Sequence, residues 1–267
     1  MRRGNRWSFT LPRQTTAATL PSSSTATFAA FPRRCAGRGL AFADDAIGIV
    51  YPIYGHMMPY MVRQFVERAT FDTPYLYLVP TYGCRHANAV ELAQEQMRAA
   101  GAEPACISTL LMVDNWLPNF DMDEQRALIP QKHIDENIAR IKADVAVRRH
   151  WIGPVSDADR EAHEQFMSRG IRFEPQDLGG FLSIDRNACV GCRICERACL
   201  AGCIRMEDGR AVRDVLAGQG CNACLACIQA CPHGVIGLPM GEVNPKARFR
   251  NEHVTLKQIM EANETGE

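Results

Sequence analysis

The chain has 267 residues, with 30 Lys and Arg balanced by 30 Asp and Glu and an apolar content of 46%. Zero net charge gives no electrostatic reason to expect nucleic acid as a partner. No stretch approaches the 18 or more apolar residues of a membrane span, so a soluble chain of one large or two small domains is expected.

Residues 1–43 hold seven arginines and no Asp or Glu, with Ser, Thr, Ala and Pro dominating. An organelle transit peptide, a twin-arginine signal and a disordered or degenerate N-terminus all suit parts of this composition, and the last suits it best. From residue 44 the pattern becomes regular. Residues 47–51 form a short apolar run ending at Pro52, as expected of a buried strand. Pro59 then opens a helix with Val62, Phe65, Val66 and Ala69 on one face. A second buried strand, residues 74–79, ends at Pro80-Thr81-Tyr82-Gly83. The helix that follows turns Leu92, Ala93, Met97 and Ala100 inward and stops at Gly101. Residues 106–113 are expected to form a third strand. Strands alternating with helices in units of about 30 residues imply βαβ crossovers and an α/β fold with a parallel sheet.

A loop, 114–123, leads to a long amphipathic helix expected over 131–149, with Ile134, Ile138, Ile141 and Val145 in register. Ser156 reads as the N-cap of a further helix. The α/β domain is accordingly placed at 44–150. A helical linker at 151–180 ends in the breakers Gly170, Pro175, Gly179 and Gly180. A cysteine-rich module occupies 181–240 and a polar tail 241–267.

Nine of the twelve cysteines fall between residues 189 and 231, leaving Cys35, Cys84 and Cys106 scattered. A disulfide scaffold would belong to a short secreted chain, so metal in a reducing, cytoplasmic compartment is the better reading. Cys189-x2-Cys192-x2-Cys195-x3-Cys199 recurs 32 residues later as Cys221-x2-Cys224-x2-Cys227-x3-Cys231, followed by Pro232. Three cysteines spaced by two residues wrap three corners of an iron–sulfur cube, and the fourth in the run ligates the other cluster. Two [4Fe-4S] clusters are therefore expected. Cluster I takes Cys189, Cys192, Cys195 and Cys231; cluster II takes Cys221, Cys224, Cys227 and Cys199. Zinc is the competing reading, but its sites use cysteine pairs separated by longer spacers. Cys203 falls at an apolar position of the repeat and reads as packing rather than ligation. Leu200 stands where the second run has Pro232, so it keeps a backbone N–H able to bond sulfur and raise the potential of cluster II.

Residues 181–236 resemble bacterial two-cluster ferredoxins. Residues 47–115 resemble the flavodoxin-like half of bacterial ferredoxin–flavodoxin fusion proteins, through Val50-Tyr51-Pro52-Ile53-Tyr54-Gly55 with Pro59, Thr81-Tyr82-Gly83 and Asp114-Asn115-Trp116. The segment Arg248-Phe249-Arg250-Asn251 resembles that family's ending. The resemblance implies a flavodoxin-like domain holding flavin mononucleotide (FMN) at the carboxyl ends of its strands. Tyr54, Gly55, Thr81, Tyr82, Gly83 and Trp116 would line the flavin. It also implies a Ser/Thr-Gly-Thr-Gly-Asn-type phosphate loop, which nothing between Met1 and Asp44 matches.

The function expected is electron transfer with a redox protein or enzyme as donor or acceptor, the clusters carrying one electron each and FMN one or two. No catalytic residue is required. Two alternatives remain open: a flavin-dependent reductase with His56, His86 or Tyr82 as proton donor, and a docking subunit whose α/β domain carries no flavin.

Overall fold

In a computed structural model describing residues 6–10, 26–30, 40–170, 181–214 and 220–264, the chain begins with three strands: β1 (Arg6–Thr10), β2 (Ala26–Ala30) and β3 (Leu40–Ala43). β1 pairs in parallel with both β2 and β4 (Ile47–Pro52). Composition reads residues 1–43 as disordered or degenerate, yet β1 and β2 extend the central sheet, while β3 pairs outside it with residues 69–72. The remainder of 1–39 lies outside the described residues.

After β4 come α1 (Tyr60–Arg68), β5 (Ala69–Asp72), β6 (Leu76–Tyr82), α2 (Ala89–Ala99), β7 (Cys106–Ile107) and β8 (Leu110–Leu111). α3 (Met122–Ala127), a 3-10 turn at Ile129–Lys132, α4 (Ile134–Ala146), β9 (Trp151–Ile152) and α5 (Asp157–Met167) complete the α/β part. The sheet is parallel, in the order β2-β1-β4-β6-β7-β9, with β8 also on β6.

All six residues of β4 are buried because both of its faces are covered. Ile47, Ile49 and Tyr51 pack with Val62, Phe65 and Val66 of α1 and Val90, Ala93 and Met97 of α2. Val50 packs on the opposite face with Val79, Leu110 and Ile138 and Ile141 of α4. Burial on both faces is why these strands read as continuous apolar runs rather than alternating ones. Gly48 lies opposite Tyr77, whose ring would stand 2.1 Å from any Cβ there.

Two expectations need correction, and one cause serves both. The second strand does not end before Pro80 but runs through it to Tyr82, while the third strand breaks into β7 and β8. Leu76, Leu78 and Tyr82 accept from Ala105, Ser108 and Met112, whereas Tyr75 and Thr81 accept from Ile47 and Ile53. Even-numbered residues of β6 thus face the β7/β8 side, and Pro80 has no N–H to offer there. The ladder lapses between Leu78–Ile107 and Thr81–Leu110, where the partner strand divides.

The long helix is also shorter than expected. Pro130 lies in the 3-10 turn, and His133 adopts φ 47°, ψ 43°, a left-handed conformation that separates the turn from α4. α5 begins as expected, with Ser156 and Asp159 forming a reciprocal capping box. The breakers at Pro175, Gly179 and Gly180 fall outside the described residues, as does Cys35.

The second part contains β10 (Ser183–Ile184), α6 (Ile194–Ala198), β11 (Ile204–Glu207), β12 (Arg210–Arg213), α7 (Ala226–Ala230), β13 (Ile236–Gly237) and α8 (Leu256–Glu264). Residues 241–264 are more than a polar tail. Ala247, Phe249 and Val254 are buried, the Val243 N–H donates to Leu117 O at 3.0 Å, and Asn263 donates to Arg197 O at 2.9 Å.

Candidate metal centre

The sequence repeat is reproduced in the backbone residue by residue. α6 and α7 are both five-residue helices offset by 32 positions. Before them, Gly191 and Ala223 adopt positive φ of 75° and 50°, and Arg193 and Leu225 adopt 62° and 57°. After them, Gly202 and Gly234 adopt 67° and 63° and donate to the carbonyls of Cys199 and Cys231. A left-handed conformation at a non-glycine residue costs about 1–3 kcal/mol and persists where the surroundings enforce it. Three such residues in matched cysteine loops mark loops shaped for a purpose.

The thiols differ in burial and in their surroundings. Around Cys195, burial pushes the thiol up to about 11, and the neighbouring charges of Cys231, Cys189 and Cys192 act in the same direction. Burial also raises Cys227, and the charges of Cys199, Cys224, Cys221 and Cys195 act in the same direction. Backbone N–H groups address the sulfurs: Ala211 donates to Cys189 at 3.4 Å, Ala223 to Cys221 at 3.4 Å, and Cys203 to Cys199 at 3.2 Å. The Ala211 bond is the main cause holding Cys189 below the ordinary thiol range. It exists because the β11–β12 hairpin folds back over the first loop.

Cys203 is buried against Cys199, to which its thiol is hydrogen-bonded. That bond and the adjacent amides lower Cys199, while the same bond and burial raise Cys203. Among the described residues, no three His, Cys, Asp or Glu side chains form a group suited to a single metal ion.

Residues 188–247 match the family model of the 4Fe-4S dicluster domain. The second part of the chain is a ferredoxin-like iron–sulfur domain, and its chemistry is electron transfer. No curated protein matches the chain. The residues present suit iron–sulfur chemistry: eight cysteines repeated on matched loops, amides donating to three of the sulfurs, and Ile204, Ile228, Ile236 and Phe249 packed with the buried cysteines.

The residues expected to line a flavin do lie at the carboxyl ends of β4 and β6 and in the loop after β8. Their side chains are already engaged. Tyr54 is buried beside its backbone bridge to Met57. Thr81 is buried in β6. Tyr82 meets His86 edge-on with centroids 5.0 Å apart. Trp116 stacks on Phe181 of the iron–sulfur domain at 5.6 Å. Gly55 turns with φ 54°, and Gly83 has the Asp114 backbone 2.2 Å from where a Cβ would stand. His56 sits between His163 and Phe166 of α5, at 5.7 and 4.8 Å, and burial lowers it to about 4. With these partners, and with no glycine-rich cradle in residues 1–44, FMN draws support from where these residues lie and not from what surrounds them.

Sequence reasoning missed Lys132 and the interface role of Leu200. Lys132 is buried with its ammonium 2.7 Å from Gly83 O, and burial lowers its pKa against the pull of Asp114 and Cys84. A single lysine before a turn carries no signal of that contact. Leu200 is 1% exposed and joins the apolar cluster of β4, β6, α1 and α2, where Cys224 also packs. Its place opposite Pro232 in the repeat was visible, but the side chain's destination depends on the other domain.

Proposed function

We propose that this protein moves single electrons through two [4Fe-4S] clusters. Cys189, Cys192, Cys195 and Cys231 would hold cluster I, and Cys221, Cys224, Cys227 and Cys199 cluster II. When bound, each cluster supplies a one-electron couple. The observation that carries the reading is the match of residues 188–247, which span both cysteine runs, to the 4Fe-4S dicluster domain. The chain's residues do the rest. Amides of Ala211, Ala223 and Cys203 and the Cys203 thiol stabilise charge on sulfur, and apolar side chains keep water from most of the ligands. No proton donor or nucleophile is needed for this activity, so the protein reads as a carrier rather than a catalyst.

The α/β domain supports a docking role, holding the iron–sulfur domain through Leu200 and through the 113–122 loop, whose Val113, Leu117 and Met122 pack with Phe181. A second reading, in which a flavodoxin-like domain exchanges electrons with the clusters through FMN, is favoured by the strand order. Counting only the principal strands, β2-β1-β4-β6-β7 follows the 2-1-3-4-5 order of flavodoxin-like sheets. Acid release of cofactor from anaerobically purified protein separates the two. The docking reading expects broad absorption near about 400 nm and no flavin in the extract. Flavin at one per chain would favour the adaptor, or the reductase with His56, His86 or Tyr82 as proton donor.

A further inference from the structure

The two cysteine loops have the same backbone, so a difference in their surroundings is a property of this chain rather than of the loop. Matched positions differ consistently. Val190 is 60% exposed whereas Asn222 is 6% exposed. Cys192 and Arg193 are exposed, whereas Cys224 is half-buried and Leu225 is 1% exposed. Leu200 is buried, and its counterpart Pro232 is exposed, as are His233 and Gly234 next to Cys231. Every exposed member of these pairs stands beside a cysteine proposed for cluster I, and every buried one beside a cysteine proposed for cluster II. On the second side Leu200 and Cys224 pack into the α/β domain, while Leu225 packs with Ile228 and Ile236 in the iron–sulfur domain's own core.

We infer that electrons pass between this protein and its external redox partner through the Val190–Arg193 loop at cluster I, with cluster II as the inner site. The inference rests on the two-cluster reading and adds a direction to it. Electron transfer falls off with distance, so a partner approaching Cys192 reaches cluster I with no protein layer between, whereas cluster II lies behind the packed interface.

The test uses an inorganic probe, since the partner is unidentified. Protein is first assayed for iron, and about eight per chain is required; a lower value counts against the cluster reading rather than this inference. The reduced two-cluster protein is then mixed at low ionic strength with an anionic cobalt(III) chelate, each cluster losing one electron as one cobalt(III) becomes cobalt(II). Arg193→Glu reverses a charge in the exposed loop and is expected to slow this oxidation about three-fold or more, the effect fading at high salt. Iron content and both midpoint potentials should stay unchanged. Paramagnetic resonance of the two reduced clusters gives a second readout. A water-soluble gadolinium chelate should speed the relaxation of the cluster retained in Cys227→Ala more than that retained in Cys195→Ala. An unchanged oxidation rate in Arg193→Glu, or equal relaxation of the two clusters, would overturn the inference.

Discussion

Cys227→Ala should lower the iron and sulfide content from about eight of each per chain to about four. Cys227 is buried, so on the proposed assignment its loss leaves one corner of cluster II without thiolate where water has little access. The damage should extend further than one ligand. Cys231 N–H donates to Cys227 O at 3.2 Å across the single turn of α7, so the helix that carries Cys227 also positions the fourth cysteine of cluster I. The surviving cluster should therefore be lost more readily on warming, since cluster binding and folding are coupled in small metal domains. Cys203→Ala is the matched control and should keep about eight iron atoms, because Cys203 lies outside the two repeated runs and the alanine keeps the backbone N–H that donates to Cys199. Iron and sulfide analysis of the two variants checks this. Eight irons in Cys227→Ala, or four in Cys203→Ala, would reverse the assignment.

Leu200→Ala should destabilise the protein by about 2–5 kcal/mol, the range for removing a buried leucine. The side chain joins a core made by the other domain, so the loss should appear as weaker coupling between the two domains in denaturant unfolding, with iron content retained. The same position separates two roles. Leu200→Ala keeps the backbone N–H and Leu200→Pro removes it, matching the second repeat at Pro232. If the amide tunes cluster II, only the proline variant lowers a midpoint potential. Equal potentials in wild type and Leu200→Pro would leave packing as the whole role of Leu200.

Much of this molecule was legible in its sequence, and the limits have physical reasons. The cysteine runs announce themselves because a cube demands thiolates at fixed spacing, and the backbone obeys the same period of 32 down to Gly202 and Gly234. The strands at 47–51 and 74–79 were visible because burial on both faces leaves an apolar run. Pro80 misled because a proline normally ends a central strand; here its missing donor faces a gap that only the neighbouring strand reveals. His133 carried no warning of its left-handed conformation, which no composition rule assigns to histidine. Residues 6–10 and 26–30 lack the apolar pattern of sheet strands, so their place beside β4 could not be read from periodicity. The flavin-lining residues illustrate the opposite limit. Motifs placed Tyr82 and Trp116 at the carboxyl end of the sheet, but could not tell that Tyr82 meets His86 edge-on and that Trp116 stacks on Phe181.

The most direct test of the central claim is a joint analysis of iron, acid-labile sulfide and zinc in anaerobically purified protein, followed by paramagnetic resonance during stepwise reduction. Two [4Fe-4S] clusters require about eight iron and eight sulfide per chain, with signals from two interacting one-electron centres. Zinc at one or two per chain, with no labile sulfide, would contradict the account.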